Sequence, residues 1–149
     1  LYAGSPWLIR GYDLGSFDVR SCPPDRPLEE CSEIESFDRL LGTRMAVGNV
    51  EMRLPLFGPL GVISRSGYVP PLELVGFFDA GLAWASDDPR TAASEQAFFL
   101  GGEREPVTSA GVGLRINLLG FAVGEVDWVK PFDRPERGSY VTFSLVPGF

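Results

Sequence analysis

Beginning at Arg44, apolar and polar residues trade places one by one. Ala46, Gly48, Val50, Met52 and Leu54 fall on one side, and Val47, Asn49, Glu51 and Arg53 on the other. A period of two fits the pleat of a β-strand and not the turn of a helix, so this stretch reads as a strand with one apolar and one mostly polar face. The pattern recurs four times. A second run starts near Leu72, with Leu74, Phe78, Ala80, Leu82 and Trp84 opposite Glu73, Val75, Phe77, Asp79 and Gly81. The third, Thr108 to Leu118, sets Ala110, Val112, Leu114 and Ile116 against Ser109, Gly111, Gly113, Arg115 and Asn117. The fourth, Phe121 to Lys130, opposes Ala122, Val126 and Trp128 to Glu125 and Asp127. The fifth, Ser139 to Val146, opposes Val141, Phe143 and Leu145 to Tyr140, Thr142 and Ser144. Gly-, Pro- and charge-rich connections separate the runs, which predicts five strands running up and down.

The first forty residues have no such period. Pro6, Pro23, Pro24 and Pro27, with several glycines and scattered acids, predict a long irregular loop over residues 1–43 and very little helix anywhere. At 149 residues the chain is expected to form one domain, this loop followed by the strands of 44–149. Within the loop, Cys22 and Cys31 flank the surface-like stretch CPPDRPLEEC. Cysteines this near in sequence can join in a disulfide, which would indicate an oxidising compartment; the alternative is two free thiols.

Composition removes several function classes. No run approaches the eighteen or so apolar residues that a spanning helix requires, so a helical membrane protein is excluded. A spanning strand needs only about 9 to 11 residues with every second one apolar, and a mean hydropathy near zero suits it. A net charge of −7 without clustered Lys or Arg argues against nucleic-acid binding, which neutralises phosphates with basic groups. The absence of histidine weakens hydrolase and metalloenzyme readings, and neither catalytic residue, metal nor cofactor is expected. Leu1 to Ser5 lack the features of a secretion signal, so an exported chain of this kind is expected to have lost its beginning.

Alternation alone does not say which face meets water, because a soluble sandwich buries its apolar face whereas a membrane barrel turns it to lipid. Three features favour the barrel. Long and short connections partly alternate, the polar faces mix charges with Gly and Ser as a crowded wet interior would, and Trp84 and Trp128 lie near strand ends where an aromatic girdle would sit.

Four motifs then follow in order: IRGYD, containing Ile9, Arg10, Gly11 and Tyr12; GNVEMRLPL, Gly48 to Leu56; GFFDAGLAW, Gly76 to Trp84; and the tail VTFSLVPGF, ending at Phe149. In these residues, and over nearly its whole length, the chain resembles the bacterial surface antigen family, the BamA/TamA-like outer-membrane assembly barrels. The resemblance implies an all-β fold, the C-terminal part of a sixteen-stranded transmembrane β-barrel in the bacterial outer membrane, of which this chain supplies the last five strands and the loop before them. Five strands do not close a membrane barrel, whose smallest form has about eight, so the remainder must come from strands outside this sequence.

The resemblance further implies that the loop enters the barrel and that Arg10 is held by acidic wall residues. Glu51 and Asp79 fit that role, since both lie on the charged faces of neighbouring strands, within reach of one guanidinium fork. Gly11 would permit close approach and Tyr12 would pack on the wall. In the family the last strand lines a lateral seam, so Tyr140 and Phe143 are expected on one lip of a gate, with Phe149 the terminal aromatic that marks the strand for insertion. Pro147 lacks an N–H and weakens pairing near that end. Implied partners are the lipid bilayer, unfolded outer-membrane or secreted protein substrates, and periplasmic accessory proteins. The cysteine-bracketed insert between Gly15 and Leu40 departs from the best-known members.

Two rival readings remain. One is an outer-membrane anchor or secretion pore for an N-terminal domain. The other is a soluble β-sandwich hydrolase using Glu51 and Asp79 as paired carboxylates.

Overall fold

The computed structural model of the chain describes residues 1–18, 22, 24–25, 27, 31–57, 71–85, 96–118 and 120–147. Five strands form one antiparallel sheet in sequence order: β1 (Arg44–Phe57), β2 (Leu72–Trp84), β3 (Val107–Leu118), β4 (Ala122–Pro131) and β5 (Tyr140–Pro147). Each expected run is a strand, and the ends differ from expectation by one to three residues. β1 runs past Leu54 to Phe57, with a register irregularity between Pro55 and Phe57 where the proline interrupts the ladder. The register of β5 against β4 continues to the pair Pro147 and Ala122.

The first four strands have 14, 13, 12 and 10 residues, enough to cross a bilayer's hydrocarbon, which takes about 9 to 11. No helix among the described residues is long and apolar enough to do so.

The two faces of the sheet have opposite surroundings. On one, the described residues of the loop preceding β1 lie against the strands, and Ala3, Ile9, Tyr12 and Leu40 form a core with Ala83 and Val107, flanked by Tyr2, Leu8, Phe17 and Val47. The other face carries the apolar residues of the alternating pattern, and most of them are uncovered: Val50 at 69% exposure, Met52 at 79%, with Leu74, Phe78, Val112, Leu114, Val126, Trp128, Val141, Phe143 and Leu145 all exposed. That is the orientation of a barrel wall and the reverse of a sandwich, which would bury these side chains. The soluble hydrolase alternative is overturned by it, because a contiguous apolar face of this extent has no place in water.

Two features depart from the sequence reading. Trp84 does not stand free in an outward girdle; at 9% exposure it is covered, with Leu82, by a segment around Ala97. The loop also contains a helix, α1 (Ser32–Arg39), where irregular structure was expected. Ile34 and Phe37 are set at helical spacing, and Phe37 packs on Tyr2 and Phe17, but the most buried positions are Glu33, Ser36 and the following Leu40, two of them polar. Cys31 immediately precedes α1 and is joined to Cys22 by a disulfide.

If the uncovered face meets lipid, a charge at its centre is expensive. Val112→Arg should destabilise the membrane-inserted protein by about 2–4 kcal/mol. Urea titration in lipid vesicles checks this, and a midpoint equal to wild type would contradict it.

Candidate functional site

Arg10 stands at the centre of the loop-covered face because its neighbours on both sides are fixed. Ile9 lies over Gly81 so closely that a Cβ there would sit 2.0 Å from the Ile9 Cδ1. Gly11 has φ +91°, a conformation L-residues disfavour, and a Cβ at this position would approach the Val129 Cγ1 to 2.9 Å. Tyr12 is wholly buried, its hydroxyl donating to the Thr108 carbonyl at 2.8 Å and its own carbonyl accepting from the Tyr2 hydroxyl at 2.6 Å. Burial pushes the Tyr12 phenol well above its ordinary pKa, so it stays a donor.

With the backbone so held, the Arg10 guanidinium meets Asp79 edge-on. Nε donates to Oδ2 at 2.8 Å and Nη2 to Oδ1 at 3.0 Å, a two-point geometry that only arginine makes with a carboxylate. The Arg10 backbone N–H adds a third bond to Oδ2 at 3.2 Å. Glu51 Oε1 lies 2.9 Å from Nη2, and Glu125 Oε1 lies 3.5 Å from Nη1. Beneath the guanidinium is the Phe77 ring, 3.7 Å from its centroid to Cζ.

Asp79 is fully buried, and the remaining capacity of its Oδ1 is met by the Asn49 amide at 2.9 Å, whose Nδ2 also donates to the Leu8 carbonyl. Burial works against a charge on Arg10, but the hydrogen bond and field of Asp79, with Glu51 behind it, outweigh this and raise the guanidinium's pKa.

Register explains why these groups meet. Asn49 pairs with Asp79 across β1 and β2, and Glu51 with Phe77 one same-face step along. Phe77 in turn pairs with Gly111, whose missing side chain leaves room for the ring; a Cβ there would lie 2.5 Å from Phe77 Cζ. The acidic groups also hold the neighbouring arginines, Glu51 bonding Arg53 at 2.6 Å and Glu125 lying 3.6 Å from Arg115. A cavity of about 760 Å³ opens beside this network, lined by Arg10, Glu51, Arg53, Arg115, Glu125 and Asp127 among others.

A second arginine, unforeseen from sequence, binds the same loop from the opposite side. Arg134, in the β4–β5 connection, is 0% exposed. Its Nη1 donates to the Gly11 carbonyl and the Ser16 hydroxyl, both at 2.8 Å, and its Nε and Nη2 reach Glu33 at 3.0 and 2.5 Å. Phe17 lies under it at 4.0 Å. Its connection reads from sequence simply as a Pro- and charge-rich turn, and burial of Arg134 depends on Glu33, 101 positions away. The sequence assigns no role to Asn49, Phe77 or Glu125, although the alternation places all three on the loop-facing side of their strands.

The remaining expected residues lie elsewhere. Tyr140 and Phe143 are on β5, at one edge of the sheet; Arg137 stands 4.8 Å over the Tyr140 ring, and Phe143 is exposed on the outward face. Phe149 lies outside the described residues.

An up-and-down sheet with its apolar face outward and a loop bound by charge to its polar face is part of the wall of a transmembrane β-barrel. The family model of the Omp85 superfamily domain matches residues 1–148, and the chain belongs to that superfamily of outer-membrane proteins that insert or translocate other proteins. No curated protein and no solved structure matches it.

Glu33 is as buried as Arg134, so removing the cation strands a carboxylate without its partner. Arg134→Ala should cost about 3–5 kcal/mol in the stability of the docked loop, and Arg134→Ala with Glu33→Ala should recover part of this. The urea dependence of protease cleavage within residues 1–43 measures both, and an unchanged midpoint in the single variant would contradict the assignment.

Proposed function

We propose that the chain is the closing portion of a BamA/TamA-type barrel that inserts or translocates proteins at the outer membrane, and that Arg10 is the lock that holds its loop inside. The observation that supports this most is the two-point bond between Arg10 and Asp79, reinforced by Glu51 and carried on the IRGYD run. A buried ion pair is an uncertain stabiliser, because desolvation offsets most of the attraction. Its value lies in position: the fork accepts one register of loop against wall and few others. The protein works without catalysis in this reading, and its partners are the bilayer, unfolded outer-membrane or secreted proteins, and periplasmic accessory proteins.

The edge strand β5 serves in the same reading as one lip of a lateral gate. It has a neighbour on one side within the sheet, β4, and ends near Pro147, which donates no ladder hydrogen bond. Substrate strands would pair along that edge as it opens.

Two experiments on the intact barrel test these roles. Arg10→Ala should leave the barrel inserted, render the loop protease-sensitive and lower assembly activity; unchanged protection together with unchanged activity would refute the lock. Disulfide cross-links between β5 and the barrel's first strand should stop assembly and be reversed by reductant, whereas full activity with the seam joined would count against the gate.

A further inference from the structure

The segment that covers Trp84 is built to hold apolar side chains outward. Ala97 is fully buried against Leu82 and Trp84 on the outward face of β2. From there a 3-10 turn, Phe98–Leu100, carries three large apolar residues that are themselves about half exposed, at 53%, 52% and 45%. Phe99 meets Trp84 edge to face at 5.3 Å, and Phe98 meets Phe99 in the same way at 5.4 Å.

The turn is not a loose excursion. Its chain closes on itself through Phe98 N–H to the Arg104 carbonyl, Arg104 N–H to the Gln96 carbonyl and Gly102 N–H to the Ala97 carbonyl. Gly101 at φ +85° makes the reversal possible, and a Cβ on Gly102 would lie 2.2 Å from the Gln96 carbonyl oxygen. The Arg104 guanidinium then ties the segment down, donating from Nη1 to the carbonyls of Asp38, Leu41 and Ala83 at 2.9, 2.7 and 3.0 Å. One clamp thus joins the loop of residues 1–43, the end of β2 and this turn.

Water offers no reason to fix three apolar side chains outward on so braced a support. Their position does. Ala97 packs on Leu82 and Trp84, which share a face with exposed Leu74 and Phe78, so the turn prolongs the apolar band past Gly81, where the pairing of β2 with β3 ends. Phe132, also exposed, follows the end of β4 on that side, its N–H bonded to the Thr108 carbonyl near the start of β3. Aromatic rings at the limit of a hydrocarbon band are placed where bilayer interfaces accept them.

We infer that the turn Phe98–Leu100 is a membrane-seated element, with Phe98, Phe99 and Leu100 lying in the boundary between lipid acyl chains and headgroups at the end of the barrel where the loop of residues 1–43 is docked. The inference rests on the barrel reading above. It makes this connection part of the lipid contact, although its flanking sequence is polar, and it gives Trp84 a role as the inner support of a girdle whose outer surface the turn provides.

Nitroxide probes on the full-length protein in phosphatidylcholine vesicles test it. Labels go at Phe98→Cys or Leu100→Cys, with Val112→Cys as a site on the outward face of the sheet and Glu103→Cys as an exposed polar site on the same connection. Two turn positions are used so that misfolding of either variant leaves a readout. The inference predicts that oxygen relaxes the turn labels more than a water-soluble nickel chelate does, as at position 112, and that the chelate's effect is several-fold weaker than at position 103. Turn labels that behave as position 103 while position 112 reports lipid would overturn the inference and leave the barrel intact. Labels shielded from both relaxants would point to a protein partner and equally overturn it. A chelate-accessible position 112 would show instead that the barrel reading itself has failed.

Discussion

The centre of the covered face of this sheet is organised by one guanidinium held by Asp79. Asp79 is completely buried, so it needs a cation and a full set of donors, and it receives them from Arg10, the Arg10 backbone and Asn49. Those donors come from the loop and from β1, which means that satisfying one carboxylate fixes the loop against two strands at once. Phe77 and Gly111 extend the same constraint to β3, since the ring that supports Arg10 lies across a residue with no side chain.

The loop is held from two directions by different chemistry. Arg10 points from the loop into the wall, where it meets carboxylates; Arg134 points from the wall into the loop, where it meets Glu33, Ser16 and the carbonyl of Gly11. Gly11 lies between the two arginines and is bound through its backbone, which explains why a left-handed glycine follows the arginine of the motif. The Cys22–Cys31 disulfide closes a short segment of the loop immediately before α1, two residues from Glu33.

Strand number, order and facing were legible in the sequence because they depend on a local period of two. The face of each strand was readable residue by residue, and with it the nearness of Glu51 and Asp79 to one another. The loop's internal structure was not. Ile34, Phe37 and Leu41 stand at helical spacing, but α1 is only eight residues long and its most buried positions are Glu33 and Ser36, so a short period among prolines and acids is easily passed over, and Glu33 and Arg134 are partners across 101 positions that no local pattern links. Trp84 shows a third kind of difficulty: its outward orientation was correct, but its covering comes from Ala97, beyond a polar stretch that gives no hint of folding back. Alternation alone left the sense of the apolar face open; connection lengths, the mixed polar faces and the resemblance pointed it outward, and the side that the loop covers agrees.

The central claim is that Arg10 and Asp79 act as one unit in holding the loop. A double-mutant cycle in the intact barrel, Arg10→Met and Asp79→Leu separately and together, measures this directly when loop opening is followed by amide hydrogen exchange over residues 8–13. The account predicts a coupling energy within the range of roughly 0.5–3 kcal/mol found for contacting residues, with the double variant less disturbed than the sum of the single ones. Single effects that add to within about 0.3–0.5 kcal/mol would mean that the two residues do not cooperate, and would contradict it.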